Sequence, residues 1–370
     1  MCRPGLALAA FASGGAPELA LWSERPLGAD QSNSSVVLGE RLLLKAYRRV
    51  APGLNPDLEL TAYLAEERGL RLVPALAGSA EYVAPDGSVA TLAMLEELVP
   101  DAEDAYETTA ERLADWIAAP GSVALEYATE DAAELGTTLA DLHAALADAG
   151  ELTDLTPRAA TPDDLRGWRL AGEARLESAL RLLGGDDAIG AELRAWSPAI
   201  RARLAGLEAP ATIPLLTRVH GDLHLGQILR TPGGFVLVDF EGEPMRAIED
   251  RRALGSPLRD VATLLRSFDH VSTSAERRAA TRGVAAGGHV GLDIDAWRRR
   301  SRERFVRAYR DGLRRAGAPI DVDESLIDAL EVAKGCDEYV YAATYLPGWL
   351  WAPHEGMRRL IAGPTGEGPR

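Results

Sequence analysis

The stretch that most constrains this chain is residues 219–244, where two short apolar runs flank a Pro232–Gly233–Gly234 turn. Apolar runs on either side of such a turn are typical of a β-hairpin. Acidic residues gather at the hairpin ends: Asp222 before it, and Asp239, Glu241 and Glu243 after it. A hairpin returns its ends to one place, so Asp222, Gln227 and Asp239 are predicted to face one cleft. Their oxygens suit Mg²⁺ and leave one carboxylate to accept a proton, an arrangement typical of phosphoryl transfer.

Two motifs in this stretch occur in a specific order. The segment His220-Gly221-Asp222-Leu223-His224-Leu225-Gly226-Gln227 is followed, after the hairpin, by Asp239-Phe240-Glu241. Together they resemble the catalytic and metal-binding segments of the aminoglycoside phosphotransferase-like kinases. Within that superfamily the chain is most similar to the maltokinase-like branch, meaning the actinobacterial maltokinases and the related glucosamine kinases. The usual pattern has Asn at the second metal position, whereas this chain has Gln227, as in that branch.

The resemblance implies an α+β, bilobal protein-kinase-like fold. Residues 1–99 are predicted to form a small β-rich N-lobe with an N-terminal cap element and a phosphate-binding loop. Residues 100–370 are predicted to form a larger, mostly helical C-lobe for catalysis and sugar binding. ATP and Mg²⁺ are the expected nucleotide and metal. Asp222 is then the catalytic base, Gln227 and Asp239 bind Mg²⁺, and Glu241 is an additional or water-mediated ligand.

The composition narrows the partners. The 370 residues are 46% hydrophobic and 26% charged, which fits a soluble protein of about two domains. A formal net charge of −16 disfavours nucleic acid and anionic membranes, because these are bound by surplus Lys and Arg. A neutral or cationic substrate is easier to reconcile with this field. The oligomeric state is left open.

The location is predicted to be cytoplasmic. Only Cys2 and Cys336 are present, which suits a reducing compartment. No apolar run approaches the roughly 20 residues of a membrane-spanning helix. The apolar start of the chain faintly imitates a signal peptide, but an N-terminal strand or cap element fits an ATP-using enzyme better.

The N-terminal third contains candidate nucleotide-binding residues. Small polar residues precede the strand-like run 36–46, and their backbone N–H groups and hydroxyls can approach phosphate: Ser32, Asn33, Ser34 and Ser35. Lys45 ends that apolar run, and a buried ammonium needs an anionic partner. The kinase pattern supplies ATP phosphates and an acid on the next helix, for which Glu59 is the first choice. A second hairpin ends at Glu96 and Leu98, whose backbone is predicted to bind adenine.

The C-terminal segment 331–353 is unusually aromatic for a chain with 6% aromatic residues. Rings stack on sugar C–H faces and acids accept hydrogen bonds from hydroxyls, so candidate substrate contacts are Asp337, Glu338, Tyr341 and Trp349, with His224 and Asp222 from the catalytic segment. The alternative is that these aromatic residues only pack a terminal helix on the core.

The acceptor predicted first is glucosamine, phosphorylated to glucosamine 6-phosphate. Maltokinases carry an Arg-Pro-x-Trp element where this chain has Leu346-Pro347-Gly348-Trp349, and the chain is also shorter than maltokinases. The acids additionally suit an ammonium. The alternatives are a maltokinase making maltose 1-phosphate, an aminoglycoside phosphotransferase, and, from another class, a pseudokinase acting as a regulatory binding module.

Overall fold

The computed structural model describes residues 5–10, 23–27, 33–119, 123–149, 156–184, 187–243, 246–283 and 291–362. For residues 5–10 and residue 362 it describes the backbone and not the side chains. The chain divides into two compact units. Unit 1 comprises Met1–Asp104, His220–Leu223 and Gln227–Ala253, and unit 2 comprises Ala105–Val219, His224–Gly226 and Leu254–Arg370. The hairpin at residues 228–237 thus groups with the N-terminal strands, whereas the predicted division after residue 99 assigned it to the larger lobe. That domain boundary stays a prediction.

Unit 1 is built on a six-stranded antiparallel sheet. Its strands are β1 Gly5–Ala10, β2 Glu24–Leu27, β3 Ser34–Leu38, β4 Leu42–Ala46, β5 Leu76–Val83 and β6 Val89–Glu97, in the order β1-β5-β6-β4-β3-β2. β3 and β4 meet across Gly39 and Glu40, whose φ values of 58° and 51° lie in the left-handed region that tight turns use. The predicted N-terminal strand, the β3–β4 turn and the β5–β6 hairpin are confirmed. The predicted strand at residues 18–22 lies outside the described residues.

A smaller three-stranded sheet contains the hairpin around the Pro232–Gly233–Gly234 turn. It consists of β7 Glu103–Asp104, β10 Ile228–Thr231 and β11 Gly234–Leu237 in the order β11-β10-β7. β10 and β11 pair antiparallel from Ile228 opposite Leu237 to Thr231 opposite Gly234. The hairpin predicted around the Pro-Gly-Gly turn is therefore confirmed. Because β10 also pairs with β7, at Leu229 opposite Asp104, the hairpin belongs to unit 1.

One helix packs on the unit 1 sheet. α1, Pro56–Ala62, starts after Asn55, whose side chain accepts a hydrogen bond from the Asp57 N–H, and it continues as a π-helical turn over Tyr63–Glu67. Leu58 of this helix packs with Tyr47, Leu76 and Met94 in a buried apolar cluster. That contact fixes which face of α1 points inward.

Unit 2 is mostly helical. Its helices are α2 Ala105–Ala118, α3 Leu125–Ala128, α4 Glu130–Ala147, α5 Pro162–Leu182, α6 Ala188–Ala205, α8 Leu258–Thr281, α9 Ile294–Ala316, α10 Glu324–Tyr345 and α11 Trp351–Ala362, while α7 Ile248–Arg252 lies in unit 1. Two short strands, β8 Arg158–Ala159 and β9 Leu215–Leu216, pair beside them. The amphipathic pattern of residues 132–146 predicts a helix, as do residues 163–206 and the segment after Ser256, and the structure confirms these helices. The α+β class is also confirmed.

Close helix packing organises the unit 2 core. α4 and α9 approach so closely that a Cβ at Gly136 would lie 2.4 Å from the Phe305 carbonyl oxygen. A Cβ at Gly312 would lie 2.5 Å from the Ala140 Cβ. Glycine at both positions lets the backbones meet. Within the described part of the chain, no helix has the length and apolar character needed to cross a membrane.

Candidate active site

The hairpin brings two predicted metal ligands together. Gln227 precedes β10 and Asp239 follows β11, so the antiparallel pairing places both at the same end. The Gln227 Nε2 donates to the Asp239 Oδ2 at 3.1 Å, and the Val238 N–H donates to the Gln227 carbonyl at 3.0 Å. Asp239 has φ of 68°, a left-handed conformation that Asp tolerates better than most residues. The sequence therefore placed these side chains correctly, and their metal-binding role stays a prediction.

The segment that ends in Asp222 is anchored to the 238–242 loop. His220 is buried, and its Nε2 donates to the Val238 carbonyl at 2.9 Å while its ring lies 4.6 Å from the Phe240 ring. Gly221 has φ of 86°, and a Cβ there would lie 3.2 Å from the Gly242 Cα. Glycine at 221 thus satisfies both the backbone conformation and the close approach. These contacts hold the backbone that presents the half-buried Asp222.

Lys45 is the centre of a buried acidic cluster. Its Nζ donates to the Asp57 Oδ2 at 2.7 Å and to the Asp239 Oδ1, and lies 4.0 Å from the Glu241 Oε1. We call these four residues the Lys45 cluster. Burial disfavours the ammonium, but the three carboxylates outweigh burial and hold the pKa of Lys45 above its ordinary value. Lys45 therefore stays charged.

The prediction that Glu59 pairs with Lys45 was wrong. Asp57 pairs with Lys45, whereas Glu59 accepts from the Arg252 guanidinium at 2.9 and 3.3 Å. Two residues along an α-helix correspond to a rotation of about 200°, so Asp57 and Glu59 point in nearly opposite directions. The other oxygen of Asp57 accepts from the Phe240 N–H at 2.8 Å. Asp57 thus ties α1 both to Lys45 and to the 238–242 loop.

A pair of isosteric substitutions tests this assignment. Asp57→Asn removes a charge that is 1% exposed and pairs with Lys45, so we expect it to lower the free energy of unfolding by about 1–3 kcal/mol. Glu59→Gln, on the same helix, removes a partly exposed ion pair and should cost under about 1 kcal/mol. Urea denaturation of both variants measures the difference. A larger loss in Glu59→Gln would contradict the Asp57 assignment.

Glu241 is buried beside two cationic groups, Lys45 and Arg251. It is 7% exposed, accepts from the Asn33 Nδ2, and lies 3.4 Å from the Arg251 Nη1. Burial raises the pKa of Glu241, and Lys45 opposes that rise. Asn33 therefore joins the start of β3 to the 238–242 loop, a contact that the sequence did not predict.

The Lys45 cluster fits a divalent cation. Asp57, Asp239 and Glu241 each offer a carboxylate oxygen, and the three oxygens lie within 4.8 Å of one another. Hard oxygen donors are the ligands that Mg²⁺ prefers. Three carboxylates around one ammonium also leave a negative excess that a divalent cation would offset. The sequence did not predict that Asp57 lies beside Asp239 and Glu241.

The phosphate-binding run is described only in part. Ser32 lies outside the described residues. Ser34 is exposed and its hydroxyl accepts from the Arg48 Nε at 3.1 Å, whereas Ser35 is buried. The role of Ser32–Ser35 in phosphate binding stays a prediction.

The segment predicted to bind adenine through its backbone uses its donors internally. The Leu98 N–H donates to the Arg41 carbonyl and the Glu97 N–H to the Ala75 carbonyl, both at 2.8 Å. Glu96 lies inside β6 and is 7% exposed. These two N–H groups are thus engaged within the protein, and recognition of adenine by the backbone of Glu96 and Leu98 stays a prediction.

The predicted sugar-contacting residues lie in unit 2, apart from Asp222. His224 is half-buried and its Nδ1 accepts from the Gly226 N–H at 3.1 Å. On α10, Asp337 is half-buried and pairs with Arg175 at 2.8 Å, and the exposed Tyr341 ring lies 5.4 Å from the Tyr345 ring. These groups reach solvent, as a binding surface requires.

The environment of Glu338 differs from that expected of a residue that contacts a sugar. It is 8% exposed and pairs with the fully buried Arg266 and with the His270 Nε2 at 3.3 Å. Although burial acts in the opposite direction, Arg266 and His270 hold the pKa of Glu338 below its ordinary value. His270 in turn contacts the Trp349 ring edge-on at 5.1 Å. Glu338 therefore contacts Arg266 and His270, and His270 in turn contacts Trp349.

The chain is similar to proteins of a known enzyme family. The model of the phosphotransferase enzyme family matches residues 23–317. The chain belongs to this family. A glucosamine kinase of Streptacidiphilus jiangxiensis is 33% identical over 91% of this chain and 73% of its own length. A glucosamine kinase of Mycolicibacterium smegmatis is 31% identical over 91% of this chain and 79% of its own length.

Solved structures agree with the family assignment. A glucosamine kinase in complex with glucosamine, ADP and inorganic phosphate has a TM-score of 0.78 and 29% identity, covering 96% of this chain and 79% of that chain. A second crystal form of a glucosamine kinase has a TM-score of 0.79. The predicted protein-kinase-like fold of this phosphotransferase is confirmed.

Several residues around the predicted sites escaped sequence reasoning. Arg251, Arg266 and His270 bind the acids Glu241 and Glu338. A faint signal was available for one pair, since Arg266 and His270 lie four residues apart and therefore share a helix face. Nothing in the sequence linked that face to α10.

Proposed function

We propose that this phosphotransferase is an ATP-dependent glucosamine kinase that forms glucosamine 6-phosphate. The observation that carries the reaction type is the meeting of Lys45, Gln227 and Asp239 beside the anchored His220–Gly221–Asp222 segment. The two curated relatives named above are glucosamine kinases, which supports the sugar. A net charge of −16 also favours a cationic acceptor over an anionic one.

Each residue has a distinct proposed part. Asp222 orients the acceptor hydroxyl and takes its proton as the phosphoryl group is transferred in line. Lys45, held by Asp57, contacts the ATP phosphates. Asp239 and Gln227 would hold Mg²⁺, with Glu241 as a further or water-mediated ligand, and a bound cation would supply positive charge that offsets that of the transferred phosphoryl group. Positioning and charge neutralisation supply most of the rate.

The sugar contacts are proposed on unit 2. Asp337, Tyr341 and Trp349 offer a partly exposed carboxylate and aromatic rings, and His224 lies two residues after Asp222. Glu338 is omitted because its carboxylate is buried and paired with Arg266 and His270, whereas the pair between Asp337 and Arg175 is partly exposed. An acid beside aromatic rings suits an amino sugar, because it can pair with the ammonium while the rings cover the C–H face.

A sugar panel tests the proposal. Purified protein with Mg-ATP is given glucosamine, N-acetylglucosamine, glucose, maltose or kanamycin, and ADP release and product mass are measured. We expect glucosamine to react fastest and N-acetylglucosamine, which lacks the ammonium, to react poorly. Phosphorus NMR of the product then identifies the phosphorylated hydroxyl.

The panel also separates the alternatives. Turnover of maltose without turnover of glucosamine would replace the proposal with a maltokinase, and preferred turnover of kanamycin with an aminoglycoside phosphotransferase. Nucleotide binding with no turnover of any acceptor would favour a regulatory module.

A further inference from the structure

Glu96 is a buried carboxyl whose side chain forms no hydrogen bond or ion pair with any other residue in the described part of the chain. It is 7% exposed and lies near the end of β6. An unpaired polar group at such a place costs free energy unless water or a ligand supplies a partner. None of the roles assigned above uses this side chain.

Its place in the sheet directs it to the nucleotide side. In the β4–β6 pairing Lys45 is opposite Met94, and Leu43 is opposite Glu96. Side chains alternate along a strand and directly opposite residues share a face, so Glu96 is on the same face as Lys45. Two residues along a strand span roughly 7 Å. Glu96 therefore lies one step beyond Lys45, toward the segment expected to meet the base.

Two backbone donors of that segment are already engaged within the protein. The N–H groups of Glu97 and Leu98 already donate to the carbonyls of Ala75 and Arg41. The side chain of Glu97 is exposed. Among these residues, Glu96 thus carries the buried polar group that can meet a ligand edge.

The surroundings favour the neutral carboxyl. Burial raises the pKa of Glu96 to about 8, with Asp57 and Asp239 acting in the same direction and Lys45 in the opposite one. The ionisable groups that interact with Glu96 from the elements around it are Lys45 of β4, Tyr47 just after β4, Asp57 of α1 and Asp239 of the 238–242 loop. A neutral carboxyl offers one donor and one acceptor.

We propose that Glu96 selects adenine, with its carboxyl O–H donating to N7 and its carbonyl oxygen accepting from the 6-amino group. This inference rests on the proposed function, since it concerns the nucleotide of that reaction. Guanine presents two acceptors, N7 and O6, at the same edge, so the carbonyl oxygen of Glu96 would face O6, and this repulsion offsets the one hydrogen bond that remains. Glu96 is therefore a specificity-determining residue for ATP over GTP.

Three variants test the assignment by nucleotide binding alone. Glu96→Gln keeps a donor and an acceptor, Glu96→Leu keeps the volume without polar atoms, and Glu97→Gln is the exposed matched control. Isothermal titration calorimetry with Mg²⁺ and non-hydrolysable ATP or GTP analogues, without sugar, gives each Kd. Circular dichroism and the melting temperature establish that each variant is folded.

We expect wild type and Glu97→Gln to bind the ATP analogue more tightly than the GTP analogue. Glu96→Leu should weaken ATP-analogue binding about 5- to 100-fold and leave GTP-analogue binding within about threefold. Glu96→Gln should retain the preference. Between pH 7 and pH 9 the Kd of wild type for the ATP analogue should rise more than that of Glu96→Gln, because ionisation removes the donor only in wild type.

The experiments distinguish a failure of the role of Glu96 from a failure of the proposed function. Equal loss of both nucleotides in Glu96→Leu, or no loss of either, would overturn the role of Glu96. If Glu96→Leu does not fold, matching pH dependence in wild type and Glu96→Gln would overturn it instead. A protein that shows the expected selectivity yet phosphorylates no glucosamine would refute the proposed sugar and support the role of Glu96.

Discussion

The Asp222→Asn variant is expected to phosphorylate glucosamine about 10² to 10⁴ times more slowly than wild type. Asn keeps the size of the side chain but cannot accept the proton of the acceptor hydroxyl. Asp222 is also outside the Lys45 cluster, in which the described acids are Asp57, Asp239 and Glu241. Binding of Mg-ATP should therefore stay close to that of wild type.

Steady-state kinetics and calorimetry separate these two effects. The change should fall on kcat, with the KM for ATP nearly unchanged. Asp321→Asn is a matched control, because Asp321 is exposed and lies in unit 2 outside every proposed site. A kcat for Asp222→Asn equal to that of wild type would refute the assignment of the base.

The Lys45→Met variant is expected to have the largest effect on stability. Met fills much of the space of the Lys side chain but removes the ammonium that two acids contact directly. The acids of the Lys45 cluster are then left close together with less opposing charge, and breaking a buried pair in this way costs about 3–5 kcal/mol. Urea denaturation in the absence of Mg²⁺ measures the loss.

Added Mg²⁺ should return part of that stability, because a cation that binds the folded state alone shifts the unfolding equilibrium. Arg71→Met is the control, since Arg71 is an exposed cation of the same unit and its loss should change stability by under about 0.5 kcal/mol. A Lys45→Met variant as stable as wild type would show that the acids of the cluster do not need the ammonium.

The hairpin around residues 232–234 shows what local sequence can predict. A Pro-Gly-Gly turn between apolar runs sets the register, and the register brings Gln227 to Asp239. Each of these steps depends on neighbours in the chain. The same holds for the helices of unit 2, whose spacing of apolar residues is a local property.

The partner of Lys45 shows where such reasoning fails. The sequence has two acids at the start of α1, and both favour a helix N-terminus. Which of them meets Lys45 depends on the rotation of α1 about its axis. That rotation is set by the packing of Leu58 against Tyr47, Leu76 and Met94, which come from other parts of the chain.

Whether Glu338 and Glu96 have ion-pair partners could not be predicted from local sequence either. Both are acids in segments that the sequence assigned to ligand binding, and both are buried. Glu338 meets Arg266 and His270, 72 and 68 residues away along the chain, whereas Glu96 meets no such partner among the described residues. Burial and pairing of a charge are properties of the assembled core.

Local sequence is enough to predict phosphoryl-transfer chemistry, because the His-Gly-Asp segment, Gln227 and Asp239 are joined by one short hairpin. Only the tertiary structure decided which acid supports Lys45, which acid is held by Arg266, and which acid is left for a ligand. The physical reason is that an ion pair depends on a few ångströms between atoms. Those distances are set by packing between elements that lie far apart in the chain.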